Sequence, residues 1–400
     1  MLLYYPQIIL LAILLLIICV LIKEIINIHP VIKTFNGSYK VIDSISMGPI
    51  IKDHGQYILI KTNEHIEIGT TLFVKGKSQG IIANSDFDIK GYLSTHWISS
   101  IIYHSKLKKI SYDNNFIHNA RRYLTTGPSW FKKMAPLFLL SMKTQENKGI
   151  LMLAKKLSVI HLLIISGFHI TLLYKILNRV FKKMGVIFSN CTPIILIFFY
   201  LYFLNWSIPS LRAYLFLVFY VIFKKVFKFS CSSFDLIALA GICILLLNPY
   251  NINSVSFELT LFASITIMYI NQFKFKYGIT KYISIVVGVY LMTLPITIKI
   301  NGFISIFGPL YSIALTPLVS LLYILSWILL PFKEWLNTLY KLTYLVLIFF
   351  VETCILIKDV NITLFIQITY NLFFVLFLVL FEMNTQFLYA KRNLLKQQKK

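Results

Sequence analysis

The residues best suited to chemistry in this chain are two histidines and a serine in one apolar segment. At about 100° per residue, a continuous helix would place His161 and His169 about 80° apart, with Ser166 about 60° from His169. The three side chains would then form one polar stripe, and Gly167 beside them would let a neighbouring helix approach closely. Because polar groups within a membrane segment usually serve function, the stripe predicts a pore-lining or gating face.

Two other interpretations of the stripe stay open. The polar side chains can simply hold neighbouring helices together. Ser166 and His169 can also act as the nucleophile and base of an intramembrane hydrolase, which needs a group that orients the base and an oxyanion site. This helix carries no acidic residue, and the chain has no GxSxG motif. We therefore predict no catalytic residue here.

A second candidate is Arg212, an isolated arginine in the long apolar part of the chain. It follows the segment 207–210, Ser-Ile-Pro-Ser, which is typical of a helix start. The free N–H groups of a helix N-terminus and a nearby guanidinium suit an anion such as phosphate, so we predict an anion contact by Arg212 and Ser210. Alternatively, Arg212 reaches the outer interface or pairs with Glu258 or Asp235.

Glu258 is the third candidate, in the apolar run Val255–Tyr269. A carboxyl group there must be protonated, paired or exposed to water. We assign Glu258 to the pore-lining group. It can couple transport to protons or ions, or it can simply form hydrogen bonds.

The sequence argues against metal, nucleotide and cofactor chemistry. The five cysteines have no paired or C-x-x-C spacing, and all eight histidines lie at or before His169. No HExxH, GxxxxGK[ST] or GxGxxG motif is present. We expect no metal site and no cofactor, and neither nuclease nor ATPase activity in this chain.

The composition is that of a membrane protein. Of 400 residues, 58% are hydrophobic and 14% charged, against about 45–50% and about 25% in soluble chains. Runs near the ~20-residue crossing length predict a polytopic α-helical membrane protein with about ten spans. The Pro-interrupted segment 308–331, with Pro317 inside, predicts a broken helix or two half-spans. The expected units are an N-terminal transmembrane anchor at 1–30, an external β-module at 31–105, an amphipathic helical linker at 106–158, a polytopic membrane domain at 159–385 and a basic tail at 386–400.

The β-module is predicted from short alternating runs that are separated by turn residues. Such closely spaced strands suit a small barrel of the oligonucleotide/oligosaccharide-binding (OB) type, and the pattern becomes helical from Asp86 onward. The aromatic side chains Tyr39, Tyr57 and Phe73 can stack on bases, but their spacing favours the barrel core. The predicted strands are Tyr39–Asp43, Gln56–Thr62, Thr71–Lys75 and Gly80–Ala83.

The net charge of +24 divides into two parts. After residue 158, basic loops alternate with loops poor in positive charge, as a single orientation in the cytoplasmic membrane requires. With the basic loops inside, both termini are cytoplasmic and the β-module is external. Residues 23–158 carry 19 basic and 9 acidic residues, a net charge of +10. Orientation alone does not favour this outward excess, which suits a polyanionic partner.

The segment 161–169, HLLIISGFH, resembles the HLLAISGLH signature of the ComEC-type competence proteins. Further segments resemble this family's motifs in the family's order, and together they cover roughly residues 31–330. They are DFDIKGYL at 86–93, LFLLS at 137–141, PSLRA at 209–213, NP at 248–249, SFEL at 256–259, LPIT at 294–297 and ALTPL at 314–318.

Three departures from the family's pattern matter. Glu258 stands where the family usually has glutamine. No cysteine lies between Cys19 and Cys191, although many members carry a cysteine pair in the β-module. The metallo-β-lactamase-like nuclease domain of many members is also missing from these 400 residues.

The resemblance implies a membrane channel that takes up single-stranded DNA during transformation. The stripe would line the path, and Arg212 with Ser210 would contact phosphate. Membrane lipid surrounds the chain, and a separate nuclease, a DNA receptor, a cytoplasmic ATPase and a second copy of the chain are possible partners. The alternatives are a secondary transporter or flippase of another anionic substrate and, less favoured, the Ser/His hydrolase.

Overall fold

The computed structural model describes residues 30, 32–45, 47–62, 64, 66–81, 89–112, 115–229, 232–273 and 275–358, together with residues 366, 369, 370, 372 and 373. The predicted anchor at 1–30, except residue 30, lies outside the described residues. So do the basic tail at 386–400 and the DFD part of the motif at 86–93.

A closed five-stranded barrel forms the N-terminal part of the described chain, which confirms the predicted OB-like module. Around the barrel the strand order is β1-β2-β3-β5-β4, and β4 pairs with β1 to close it. β3 and β5 run parallel, whereas the other neighbours are antiparallel. The strands are β1 Thr34–Ile45, β2 Gly48–Asp53, β3 Gln56–Ile60, β4 Thr70–Gly80 and β5 Ile98–Tyr112.

The strand β5 corrects two predictions. The chain is not helical throughout from Asp86 onward, because residues 98–112 form the longest strand of the barrel. The predicted boundary at residue 105 falls inside this strand, which continues to Tyr112. The local pattern misled because β5 is fixed by distant partners, parallel to β3 and antiparallel to β4, and strand preference depends strongly on such context.

Alternation along the strands builds the barrel interior. In β4, Leu72 and Val74 are fully buried, while Phe73 between them and Lys75 after them face outward. Inward residues from all five strands form the barrel core. These core residues include Phe35, Val41, Ile51, Ile58, Leu72, Val74 and Ile102.

Short helices join the barrel to the apolar domain. They are α1 Ile89–Ser94, before β5, and α2 Phe116–Thr125, α3 Ser129–Leu140 and α4 Lys148–Lys156 after it. The segment 106–158 is not simply a linker. Every residue from Met134 to Leu140 of α3 is buried, in one core with later helices such as that of Tyr340.

The rest of the described chain is helical. Five segments are long and apolar enough to cross a membrane, namely 160–184, 186–203, 278–301, 308–328 and 333–352, and 233–247 and 255–271 are shorter apolar helices. The elements are α5 Ile160–Leu163, α6 Gly167–Phe181, α7 Val186–Phe203, α8 Ile208–Phe219 with a π-helical turn at Tyr220–Val226, α9 Ser233–Leu247, α10 Val255–Asn271, α11 Gly278–Asn301, β6 Phe303–Ser305, α12 Gly308–Ile328, α13 Lys333–Glu352 and β7 Leu356–Lys358.

The interruption of a membrane segment lies elsewhere than predicted. α12 is one continuous helix of 21 residues that keeps Pro317 inside it and Pro309 in its first turn. The predicted broken helix at 308–331 is therefore wrong. Instead the chain leaves helical geometry between α5 and α6, at residues 164–166.

Apolar side chains on the outside of the helical domain are typical of a lipid-facing surface. In the five long segments only 22–39% of the most apolar window is buried inside the protein. Large side chains such as Phe199, Leu321 and Phe349 are about 60% exposed. Because so wide an apolar surface is rare on a soluble monomer, the protein is an α-helical membrane protein with a β-barrel module.

Candidate functional site

The predicted polar stripe does not lie on one helix. α5 ends at Leu163, and Ser166 caps the N-terminus of α6 with an extended backbone (φ −123°, ψ 178°). These angles interrupt the regular rotation that the prediction requires. His161 sits on a separate turn with an exposed side chain, whereas His169 is 1% exposed. The prediction of one continuous stripe is therefore wrong.

His169 holds the break between α5 and α6 in place. Its Nδ1 accepts the backbone N–H of Ser166 at 3.2 Å and lies 3.3 Å from the Ser166 hydroxyl oxygen. A ring nitrogen has one in-plane lone pair, so an Nδ1 that accepts this N–H is not free to take the hydroxyl proton. The imidazole also packs edge-on against Tyr323 of α12, with ring centroids 4.8 Å apart. This geometry suits a structural contact between α5, α6 and α12 better than the activation of Ser166 as a nucleophile.

Gly167 marks the closest approach of α6 to α8. A Cβ atom at this position would lie 3.3 Å from the Ala213 Cβ and 3.9 Å from both Arg212 Nη2 and the Pro209 carbonyl oxygen. A glycine therefore brings the start of α6 against the guanidinium on α8, as small residues do where membrane helices meet.

Arg212 connects α8 to α10. It is 8% exposed, and its Nη1 donates to the backbone carbonyl of Thr260. This burial contradicts the alternative in which Arg212 reaches the outer interface. Asp235 instead caps α9, where its carboxylate accepts the Ser232 N–H at 2.8 Å. A phosphate contact by Arg212 stays a prediction.

Ser210 and Glu258 flank this connection differently. Ser210 is fully buried, and its hydroxyl accepts a hydrogen bond from the Ser207 hydroxyl at 2.8 Å. Glu258 is half-buried in the first turn of α10, two residues before Thr260, where the helix N-terminus favours a negative charge. The structure thus brings Gly167, Arg212 and the first turns of α10 together.

The outer surface of the barrel carries a cluster that we call the lysine face, defined by Lys61, Phe73, Lys75, Lys106 and Lys108. In the β4–β5 pairing Phe73 lies opposite Lys108, and Lys75 lies opposite Lys106. Phe73 is 37% exposed, so the prediction that it belongs to the core is wrong. A cavity of about 470 Å³ lies between Lys61, Lys75 and Lys106.

One tyrosine of the barrel lies beside the lysine face, and two others pack against its core. Tyr103 lines the same cavity, and the Lys61 ammonium lies 5.3 Å from the centre of its ring. Tyr39 and Tyr57 pack against the buried clusters of the barrel, as predicted. Positive charge beside exposed aromatic rings is the arrangement that binds single strands without sequence preference.

Sequence reasoning missed a polar cluster between the barrel and the helical domain. The Asn205 amide, in the loop between α7 and α8, donates to Asp43 of β1 at 2.8 Å. Its oxygen accepts from Arg121 of α2 at 2.5 Å, and Arg121 also donates to the Phe203 carbonyl at 3.2 Å. No local motif signals this cluster, because its members come from three separate parts of the chain.

Burial sets the charge states in this cluster. It raises the pKa of Asp43 above its ordinary value, although the Ser44 N–H and the charges of His96 and Arg121 act in the opposite direction. Burial also lowers the pKa of His96, against the attraction of Asp43. The pKa of Arg121 is lowered for the same reason. Ionisable groups are thus desolvated where the barrel meets the helices.

In the part of the chain that the structure describes, no group of three or more His, Cys, Asp or Glu side chains is placed to hold a metal ion.

The fold and these sites define a class: an α-helical membrane protein that carries a basic, closed OB-like barrel. A family model described as "Competence protein" matches residues 143–385. Because the match covers more than half of the chain, the chain belongs to the Competence protein family.

Two curated relatives are similar over part of their length. The uncharacterized protein MG316 of Mycoplasma genitalium is 24% identical over 196 residues, which is 49% of this chain and 51% of that protein. The MG316 homolog of Mycoplasma pneumoniae is 22% identical over 207 residues, 52% of this chain and 54% of that protein. The chain therefore spans about half the length of the curated relatives that it matches. No solved structure gives a significant match.

Proposed function

We propose that this protein is a channel for the uptake of single-stranded DNA across the cytoplasmic membrane. The observation that carries the proposal is the lysine face on an OB-like barrel that is joined to a membrane domain of the Competence protein family. The cations supply a sequence-independent attraction for phosphate, and the aromatic rings accept any base.

The membrane domain offers a route for weak, repeated contacts. A conduit must bind its cargo loosely enough to release it, so buried and partly satisfied polar groups suit the task better than one strong site. His161, Ser166, Gly167, His169 and Glu258 line the route in this proposal. Arg212 and Ser210 contact phosphate when the α8–α10 contact at Thr260 opens.

The proposed topology has about ten spans with both termini in the cytoplasm and the barrel outside. Alternation of basic loops with loops poor in positive charge supports it. We further propose membrane lipid, a separate nuclease, a DNA receptor and a cytoplasmic ATPase as partners, since this chain has no nucleotide-binding motif. A homodimer is also part of the proposal.

The test is entry of a labelled single strand into proteoliposomes that hold the full chain, with an ATPase partner and a nuclease supplied. We expect strand entry, reduced at least severalfold in the double variant Lys75→Gln/Lys106→Gln. The matched control is Lys148→Gln/Lys175→Gln, which removes two exposed charges outside the lysine face and should retain entry.

Further variants separate this function from the alternatives. Loss of entry in Arg212→Ala with retention in Ser166→Ala supports the conduit and excludes Ser166 as an essential nucleophile. Glu258→Gln should also retain entry, because the resembling family usually has glutamine there. Absence of strand entry under every condition, in a chain that folds, overturns the proposal. Ion-coupled solute movement that Glu258→Gln abolishes would then favour the secondary transporter.

A further inference from the structure

A second and larger cavity lies where the barrel meets the helical domain; we call it the junction cavity. Its volume is about 790 Å³. One wall comes from the barrel, another from α2, and a third from the loop between α7 and α8. Ile164 and Ile165, in the break between α5 and α6, also line it. The cavity thus connects the external module with the interruption in the membrane domain.

Positive charge prevails on its walls. Arg121, Arg122 and Lys143 line the cavity, against the carboxylates of Asp43 and Glu67. Arg121 is 7% exposed, and its Nε is buried without a hydrogen-bond partner among the described residues. Burial and the charge of Lys155 lower the pKa of Lys143. A lysine ammonium under such repulsion gains from an anion placed beside it.

Aromatic faces complement the charge. Trp97 and Trp206 both line the cavity, and Trp206 is 38% exposed. Each ring is braced from one side by an edge-to-face neighbour: Trp97 by Tyr250 at 5.7 Å, and Trp206 by Phe198 at 5.3 Å. A large ring that is held in place but partly open is a stacking platform for a planar group.

Strained backbone gathers at this cavity. Seven described residues other than glycine have positive φ, and four of them line it: Trp97 (60°), Ser141 (55°), Asn205 (48°) and Trp206 (51°). A left-handed conformation is unfavourable for a bulky residue, and such strain concentrates at ligand clamps. Holding both indole rings at these walls therefore costs the folded protein some stability, through the strained backbone of Trp97 and Trp206.

We infer that the junction cavity binds a short segment of single-stranded nucleic acid, with phosphates against Arg122 and Lys143 and a base against Trp206. This inference rests on the proposed function and adds the place where the strand passes from the barrel to the membrane domain. A duplex offers Trp206 no free base face, because its bases are already stacked on one another.

The test uses the full chain in detergent, an oligothymidylate, and the abasic oligomer with the same number of phosphates. We expect the oligothymidylate to quench tryptophan fluorescence and to bind about tenfold more tightly than the abasic oligomer. Trp206→Asn should reduce that preference severalfold, and the aromatic rings of the lysine face account for what remains. The variant should also fold, because asparagine tolerates the left-handed backbone of position 206. The matched control Trp335→Leu, on the exposed surface of α13, should keep the preference.

A salt titration tests the phosphate contacts. Lys143→Gln should lower the slope of log K against log salt concentration by about 0.7, the value for one phosphate contact on a single strand. Lys175→Gln, which lies outside the cavity, should leave the slope unchanged.

The outcomes separate this inference from the proposed function. Strand entry into proteoliposomes with unaltered binding in Trp206→Asn and Lys143→Gln overturns the cavity site alone. Quenching and binding that depend on Trp206, without any strand entry, support the cavity site and overturn the channel. If the chain shows neither oligomer binding nor strand entry, both the cavity site and the channel are overturned.

Discussion

The side chain of Asn205 donates a hydrogen bond to Asp43 at 2.8 Å and thereby ties the loop between α7 and α8 to strand β1 of the barrel. The two residues lie 162 positions apart in the chain. Because the same amide also accepts from Arg121, one neutral side chain bridges a half-buried carboxylate and a buried guanidinium. It is one of several contacts between the barrel and the helical domain, beside the Asn248 amide on the Thr95 carbonyl and the Trp97–Tyr250 ring contact.

Replacing Asn205 by glycine should cost about 1 kcal/mol of stability, since the half-buried Asp43 carboxylate and the buried Arg121 guanidinium each lose a hydrogen-bond partner at a site open to water. Glycine adopts the φ of 48° at this position without strain, so the loss reports the side chain. The measurement is thermal unfolding of the full chain in detergent. His54→Gly, at a similar φ of 43°, is the control and should change stability little, because among the described residues the His54 side chain pairs only with Asp53 of the barrel itself. Equal losses in the two variants would contradict the bridging role.

His96 should make folding sensitive to mild acid. Its folded pKa lies below 6.5, so between that lowered value and pH 6.5 the unfolded chain binds more protons. Stability from His96 is therefore present above pH 6.5 and is lost as the pH falls, by at most about 1.4 kcal/mol per pH unit. Asp43 acts in the opposite direction, because its raised pKa favours the folded state at low pH.

Comparison with His96→Gln isolates the contribution of His96. Unfolding followed at a series of pH values should show a steeper loss below pH 6.5 in the wild type than in the variant. His96→Gln also removes an attraction that lowers the pKa of Asp43, which adds to the stability that the variant keeps at low pH. A variant as acid-sensitive as the wild type would rule out His96 as the cause.

Gly167 should be sensitive to size. Gly167→Leu places atoms where Ala213, Arg212 and the Pro209 carbonyl already lie, and overpacking of this kind costs about 1–3 kcal/mol. Gly167→Ala should cost less, because its Cβ meets Ala213 at 3.3 Å and a small shift relieves the contact. The control is Gly149→Ala in α4, where a Cβ meets nothing within 4 Å, and helix propensity predicts a gain of up to about 1 kcal/mol. Melting temperatures measured in one detergent rank the three variants by stability. A Gly167→Leu variant as stable as the wild type would contradict the close contact between Gly167 and α8.

Gly48 should be essential for the barrel. Its φ is +145°, and a Cβ there would stand 2.0 Å from the backbone oxygen of Ile60 on β3. Gly48→Ala therefore meets both strain and a backbone clash, and we expect a loss above about 3 kcal/mol. Gly55→Ala, at φ +85° with open space around it, bears the conformational strain alone and is the control. Hydrogen exchange of the barrel amides measures the stability of the barrel in each variant. Similar protection in Gly48→Ala and Gly55→Ala would contradict the prediction.

The sequence by itself determined the features that depend on composition and local periodicity. Its apolar runs predicted a membrane protein because about twenty apolar residues match the thickness of a bilayer. The alternating run Thr71–Lys75 predicted a strand within β4, although it placed Phe73 in the core, and the short spacing of strands predicted a small barrel. The ordered motifs, above all the segment 161–169, resemble those of the competence proteins.

Only the tertiary structure decided how distant segments meet. β5 is a strand because β3 and β4 flank it, although the local pattern of its residues predicts a helix. Pro317 stays within the continuous helix α12, whereas the actual interruption, between α5 and α6, is stabilised by a hydrogen bond between His169 and Ser166. Arg212 is held by the Thr260 carbonyl on another helix. Local periodicity predicts which face of a helix or strand is apolar. Contacts between distant segments depend on the entropy of closing the loop between them and on side-chain packing, and neither can be read from the spacing of nearby residues.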